Sequence, residues 1–258
     1  MLYNRIVVKV GTSTITHSTG KLDLRIIDKL SMVLSDIANR GIEVVLVTSG
    51  AIATGMTKTG LKKKPEDIAA KQAMAAIGQG LLVHIYEKMF SEYGKAIAQI
   101  LLTKEDIFYD DRNANAKNTF NTLLKLGIIP IVNENDTVAT DEIKFGDNDV
   151  LSAYVAKIID ADLLIILSDI NGLYDRDPNL EGAKLIERVT HIDDTIRLIS
   201  KGTNSAFGTG GMKTKINAAQ IMFDNNITMV IANGRRIENI YDIISGKQVG
   251  TIFSREDS

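Results

Sequence analysis

The sequence predicts an α/β fold in which helices cover both faces of a mostly parallel sheet. Three observations lead there. Short runs rich in Val, Ile and Leu lack polar alternation, as strands buried on both faces require. Stretches with apolar residues at helical spacing alternate with those runs. The chain has 258 residues, 45% of them hydrophobic and only three proline, enough for a large core that needs no cross-links.

The elements follow in order. RIVVKV (5–10) reads as a strand, and Leu24, Ile27, Leu30, Val33, Leu34 and Ile37 mark one face of a helix. IEVVLV (42–47) is a second strand. A long helix within 65–90 begins near Pro65, a residue that suits a first helical turn. AIAQILL (96–102) and IIPIV (128–132) are strands, separated by a helix near 112–126 that stops at Gly127. VLSAYVAKII (150–159) is helical, LLIIL (163–167) and ITMVIA (227–232) are strands, and a helix over 212–224 precedes the latter. A helix near 237–245 and a short strand, GTIF, close the chain. Two stretches interrupt the pattern: TVATDEIKFGD (137–147) reads as a hairpin, and DINGLYDRDP (169–178) is rich in turn residues. Nothing in the composition divides the chain, so a single domain over 1–258 is expected.

Composition excludes several functions. With no cysteine there are no disulfides, thiolate metal sites or cysteine nucleophiles. His17, His84 and His191 lie too far apart in sequence to suggest a triad or metal site. A net charge of −2 lacks the basic footprint of a nucleic-acid binder, and Lys62-Lys63-Lys64 reads as a solvated loop. No apolar run approaches the ~18 residues of a membrane span, and the start carries no signal-peptide pattern, so a cytoplasmic protein with no membrane partner is expected.

In parallel sheets ligands sit beyond the carboxyl ends of the strands. The polar and glycine-rich segments gather there: Lys9 and Gly11 after the first strand, TSGA (48–51) after the second, NENDTVATDEIKFGDND after Val132, and SDINGLYDRDP after Leu167. GTGGMKTKINAAQ (208–220) matches neither the Walker nor the dinucleotide spelling. Its glycines would let backbone N–H groups approach a phosphate at a helix start, and Lys213 or Lys215 would add charge; a surface linker has the same composition. Lys9 shares a strand face with Arg5 and Val7, and fits either a snorkelling edge residue or an ammonium in the ligand crevice. The acidic stretch misses EF-hand spacing. It suits either a solvated hairpin or a site whose Asn and Asp side chains hold an amino acid's ammonium while Asn148 and backbone amides hold its carboxylate.

The order of these segments is more specific than any one of them. VVKVGTSTIT, VTSGAIATG, KQAMAAIGQ, GIIPIVNENDTVA, FGDNDVLSAYVA, LSDINGLYDRDP and GTGGMKTKINAAQ together resemble the glutamate 5-kinase group of the amino acid kinase family, from about residue 4 to Phe253. The resemblance implies a three-layer αβα sandwich around a mainly parallel sheet of about eight strands. It implies phosphorylation of the L-glutamate side-chain carboxylate by ATP with Mg2+. Ser49, Asp136 and Asn148 would hold glutamate, with Gly50 and Ala51 lining the same pocket. Ser168, where relatives often have threonine, would hold the nucleotide with Asp169, Lys9 and the loop Thr209, Gly210, Gly211, Met212, Lys213, Thr214 and Lys215. Lys9 and Lys215 would flank the phosphoryl group, and Asp149 would orient both. The metal ligands are left unassigned.

The resemblance also implies proline as a feedback inhibitor, glutamyl-phosphate reductase as a downstream partner and self-association into a homo-oligomer. Many members carry a C-terminal PUA domain, and none is expected here. A sister kinase acting on N-acetylglutamate or aspartate, or a sensor without turnover, remains the alternative. The former is separable by a substrate panel, the latter by loss of Lys9, Lys215 or Asp149, all of which are present. A carboxylate acceptor has an ordinary pKa of about 4.3 and is already ionised at neutral pH, so no general base is needed. What must be overcome is repulsion between two anions, by positioning and positive charge.

Overall fold

Eight strands form one sheet in the computed structural model, which describes residues 2–139, 147–201 and 211–255. The strands are β1 (Arg5–Val10), β2 (Glu43–Val47), β3 (Ile97–Leu102), β4 (Ile129–Glu134), β5 (Leu163–Ser168), β6 (Arg188–Val189), β7 (Thr228–Asn233) and β8 (Thr251–Phe253), in the order β3-β4-β2-β1-β5-β7-β8-β6. Every pairing is parallel except β7 with β8. The order reverses at β1: β2, β4 and β3 extend to one side, and β5, β7, β8 and β6 to the other. A crevice opens at such a reversal, beyond the carboxyl ends of the flanking strands. Lys9, near the end of β1, pairs in register with Val47 and Ile166, so it stands at that crevice.

Alternating side chains of the central strands feed two separate cores. Ile6, Val8 and Val10 of β1 meet α2 (Leu24–Asn39), α4 (Ile68–Glu92) and α10 (Asn239–Ile244). Val7, on the opposite face, meets α6 (Asp110–Lys125), α7 (Asn148–Ile158) and α9 (Met212–Asp224). Both faces are thus covered, and the three layers and mainly parallel sheet are those expected. The short helices α1 (Thr12–Ile15), α3 (Ala51–Thr59), α5 (Lys104–Phe108) and α8 (Asp194–Lys201), and strand β6, were not among the expected elements.

Several boundaries move for local reasons. The long helix starts at Ile68 rather than near Pro65, because the Asp67 carboxylate accepts from Ala70 N at 2.8 Å and caps the first turn. Helix α7 starts at Asn148 rather than Val150, capped by Asp147, whose Oδ1 accepts from Asp149 N at 2.9 Å. That start places Asn148 and Asp149 in the first turn, on a rigid element. Strand β4 runs on to Glu134, so Asn133 belongs to the sheet and not to the loop. Gly127 ends α6 as expected, at φ 70°. Residues 140–146 of the expected hairpin lie outside the described residues.

Helices α3 and α4 cross in close contact, and two glycines permit it. A Cβ on Gly78 would lie 1.8 Å from Ala51 O and 2.4 Å from Gly55 N; one on Gly55 would lie 2.0 Å from Met74 O. This crossing fixes where the Ser49–Ala51 turn sits above β2. Gly78→Ala should therefore push the helices apart and destabilise the protein by about 1–3 kcal/mol. Gly80→Ala, where nothing lies within 4 Å, should instead stabilise it by up to about 1 kcal/mol through helix propensity. Thermal denaturation of the two variants checks this, and equal melting temperatures would contradict the packing argument.

Candidate active site

Lys9 is buried on the β1 face that α7 and α9 cover, only 5% exposed, so its ammonium needs a counter-charge. Asp149, fully buried in the first turn of α7, supplies it. Lys9 Nζ lies 2.6 Å from Oδ1, and Lys215 Nζ, from α9, donates to Oδ2 at 3.1 Å. One carboxylate thereby joins two lysines from elements distant in sequence. Asp147 adds a second negative group, 3.9 Å from Lys9 Nζ. Thr214 Oγ1 is within hydrogen-bond distance of Asp147 Oδ2 (3.2 Å), Asp149 Oδ2 (3.0 Å) and Gly211 O (2.8 Å), which ties the start of α9 to the start of α7.

These charges set each other's titration. Burial opposes ionisation of Asp149, but the Lys9 and Lys215 ammoniums outweigh it and hold its carboxyl down at about 2. Burial would lower Lys9, yet Asp149 and Asp147 leave it above its ordinary value, firmly cationic. Asp147 shifts the opposite way: burial and the neighbouring Asp149 charge raise it, against the pull of Lys9. Two fixed cations that share one firmly ionised carboxylate can attract an anion to the sheet edge while Asp149 keeps both ammoniums in place.

A second polar group lies beside this cluster. Asn148 Nδ2 is 2.6 Å from Thr48 O, 3.0 Å from Ser49 Oγ and 2.7 Å from Asn133 Oδ1, so α7 is tied to the ends of β2 and β4. Gly50, at φ 98°, turns the chain into α3, a conformation that side chains with a Cβ rarely adopt. Helix α3 starts at Ala51 without a side-chain cap, so its first turn offers backbone N–H groups to an anion. Below it, Thr48 Oγ1 meets Tyr86 Oη at 2.9 Å; burial raises that phenol's pKa and keeps it neutral. Asp136 is half-buried in the turn after β4.

The remaining expected residues are dispersed around the same edge. Ser168 ends β5 buried, and its Oγ is 3.1 Å from Oδ1 of the exposed Asp169. Helix α9 starts at Met212 with Gly211 in the cap position and no side-chain cap. Met212 itself is a core residue and Lys213 faces solvent, so neither touches the Asp149 cluster. Thr209 and Gly210 lie outside the described residues. Just after β1, Gly11 leaves room beside the ammonium, since a Cβ there would come within 3.4 Å of Lys9 Nζ. Among the described residues no group of three or more His, Cys, Asp or Glu side chains could hold a metal ion.

Sequence reasoning gave Asp147 and Asn133 no role beyond membership of the acidic stretch, and Gln79 none at all. Asp147 could have been found as the Asp one position before a helix start, an N-cap signature. Asn133 and Gln79, whose side chains meet at 2.8 Å between β4 and α4, carry no local signal.

Comparison with known proteins identifies the family. Residues 4–233 match the amino acid kinase family. A glutamate 5-kinase of Caldanaerobacter subterraneus subsp. tengcongensis is 54% identical over 251 residues, 96% of this chain and 67% of that protein. Glutamate 5-kinases of Clostridium acetobutylicum (51% over 251 residues; 97% of this chain, 94% of that one) and Lactococcus lactis subsp. lactis (49% over 257; 98% and 95%) are similar over nearly their full lengths. Among solved structures, UMP kinase from Bacillus anthracis superposes with a TM-score of 0.65 at 16% identity, covering 98% of this chain and 97% of that one. Isopentenyl phosphate kinase from T. acidophilum gives 0.66 at 19% identity, covering 96% and 99%. At such identities these two share the fold.

The Asp149 cluster makes an acid-range prediction. Its folded pKa, about 2, lies below the unfolded value of about 3.9, so its contribution is complete above about pH 4 and is lost as pH falls through about 2. Denaturant unfolding at pH 5 and pH 2 should show the wild type losing about 2 kcal/mol more than Asp149→Asn, which has no such group to protonate. Parallel losses in both proteins would contradict the assignment.

Proposed function

The chain belongs to the amino acid kinase family, and on that premise we propose that it transfers the terminal phosphoryl group of ATP to the side-chain carboxylate of L-glutamate. The product, L-glutamyl 5-phosphate, begins proline biosynthesis from glutamate. The observation that carries this reading is the buried Lys9–Asp149–Lys215 cluster at the sheet's switch point, beside the Asn148–Ser49 group. The first suits a phosphoryl group between two anions; the second suits an amino acid.

The division of labour follows from the chemistry. Glutamate's carboxylate is its own nucleophile, and no described histidine lies in the cluster to act as a base. Lys9 and Lys215 oppose the charge that gathers on the phosphoryl oxygens as the bond to ADP breaks. Asp149 holds both ammoniums at fixed positions, so no reorganisation is needed during transfer. The uncapped start of α9, with Ser168 and Asp169, receives the nucleotide's phosphates. Asn148, Ser49 and Asp136 hold glutamate, with Gly50 and Ala51 at the uncapped start of α3. Mg2+ would neutralise part of the polyphosphate charge. Asp147 is the carboxylate suited to meet it or its waters, because lysine ammoniums occupy both Asp149 oxygens whereas the hydrogen bonds to Asp147 come from the neutral Asp149 N and Thr214 Oγ1. Proline, which shares glutamate's α-carboxylate, would compete in the amino-acid half. Self-association and supply of the acyl phosphate to a reductase complete the reading.

Hydroxylamine traps acyl phosphates, so hydroxamate should form with ATP, Mg2+ and L-glutamate and stay near background with N-acetylglutamate or aspartate. No hydroxamate, or a preference for aspartate, would refute the reading. Within an active enzyme, Lys215→Ala should lower kcat by about 10²–10³ with little change in glutamate KM, because it acts on charge present mainly in the transition state. Asn148→Ala should raise glutamate KM steeply and leave ATP KM nearly fixed. Steady-state kinetics on the two variants would expose an inverted assignment at once.

A further inference from the structure

Gln79 is 7% exposed, on the buried side of α4, and its Nε2 has no hydrogen-bond acceptor among the described residues. Its orientation is set by backbone groups at both ends of an amide chain. Thr48 O accepts from Asn148, so the atom facing it is Nδ2. Glu134 N donates to Asn133 at 2.9 Å, so the atom facing it is Oδ1, which also accepts from Asn148 Nδ2. Asn133 then has only its Nδ2 left to offer, and Gln79 meets it with Oε1 at 2.8 Å. Among the described residues, the two N–H bonds of Gln79 Nε2 are left over. A buried donor without an acceptor costs about 1–3 kcal/mol, so one that persists calls for an explanation.

Its location supplies one. Gln79 directly follows Gly78, the residue at which α4 comes against Ala51 O in the first turn of α3. The N–H pair, without an acceptor among the described residues, is linked through Asn133 and Asn148 to Ser49 Oγ, one residue before the Gly50 cap of α3. Uncapped backbone N–H groups and a spare amide donor at one place call for an anion, and the lysines stand at the other end of the site. We propose that Gln79 is a substrate-recognition residue whose Nε2 donates to the α-carboxylate of the amino acid, an inference that rests on the glutamate-kinase reading above.

Gln79→Glu isolates the donor. It keeps an acceptor for Asn133 Nδ2 and replaces the N–H pair with a second, negatively charged oxygen facing the substrate's carboxylate. Glutamate KM should rise about 10- to 100-fold, the range for losing a hydrogen bond to a charged group, while ATP KM stays within about twofold. Gln79→Met, neutral and similar in size, should raise glutamate KM in the same direction and serves where the Glu variant does not fold. Inhibition by 4-aminobutanoate, which is glutamate without its α-carboxylate, should weaken far less than glutamate binding does. Unchanged glutamate KM in Gln79→Glu, or equal weakening of 4-aminobutanoate, would overturn the assignment. Wild-type hydroxamate formation is measured first, so that absence of glutamate turnover, which defeats the kinase reading, is told apart from failure of the Gln79 role.

Discussion

Asp149 is the point on which the rest of the site depends. Two ammonium groups cannot be held under the same helical layer without a shared counter-charge, since each would lose hydration and repel the other. By taking Lys9 on one oxygen and Lys215 on the other, a single buried carboxylate converts an unfavourable pair into a fixed array. The α7 helix start makes this feasible. Asp147 caps it, and the cap holds Asp149 in the first turn, where Thr214 and Lys215 of α9 can reach it.

The half proposed to hold the amino acid depends on backbone contact rather than charge. Helix α3 is short, and its sequence AIATGMTKT contains a glycine and several threonines, a poor helix former by propensity. It holds its place because Gly55 and Gly78 let it lie directly on α4. That contact presents the uncapped turn at Ala51 to the crevice and buries Gln79 beside it. Charge in one half and close packing in the other thus suit the two anion sites proposed above, as transfer between two anions demands.

The sheet was legible in the sequence because its strands are buried on both faces and therefore read as unbroken apolar runs. The long helices were legible because each places one apolar stripe against the sheet. Short helices α1, α3, α5 and α8 were not: four to nine residues give too few turns for a periodic signal, and their stability comes from tertiary contacts. Lys9 and Lys215 could be marked because one adjoins a strand end and the other a glycine-rich helix start, whereas Asp149 gained its role only from the family resemblance. The order of motifs then pointed to a family.

What the sequence determined by itself was the alternation of elements and the edge at which polar segments collect, both properties of local pattern. Only the tertiary structure decided which groups meet. Lys9 and Lys215 are separated by nearly the whole chain, and the shared oxygen pair of Asp149 follows from the register of β1 and the packing of α7 on α9. Gln79 is the sharpest case. In the sequence it is one more polar residue in an alanine-rich helix, indistinguishable from Gln72 or Lys71. Its amide orientation exists only because β4 carries Asn133 to meet it and α7 carries Asn148 to meet Asn133. Hydrogen-bond satisfaction is a property of the assembled neighbourhood, so no local pattern could have announced it.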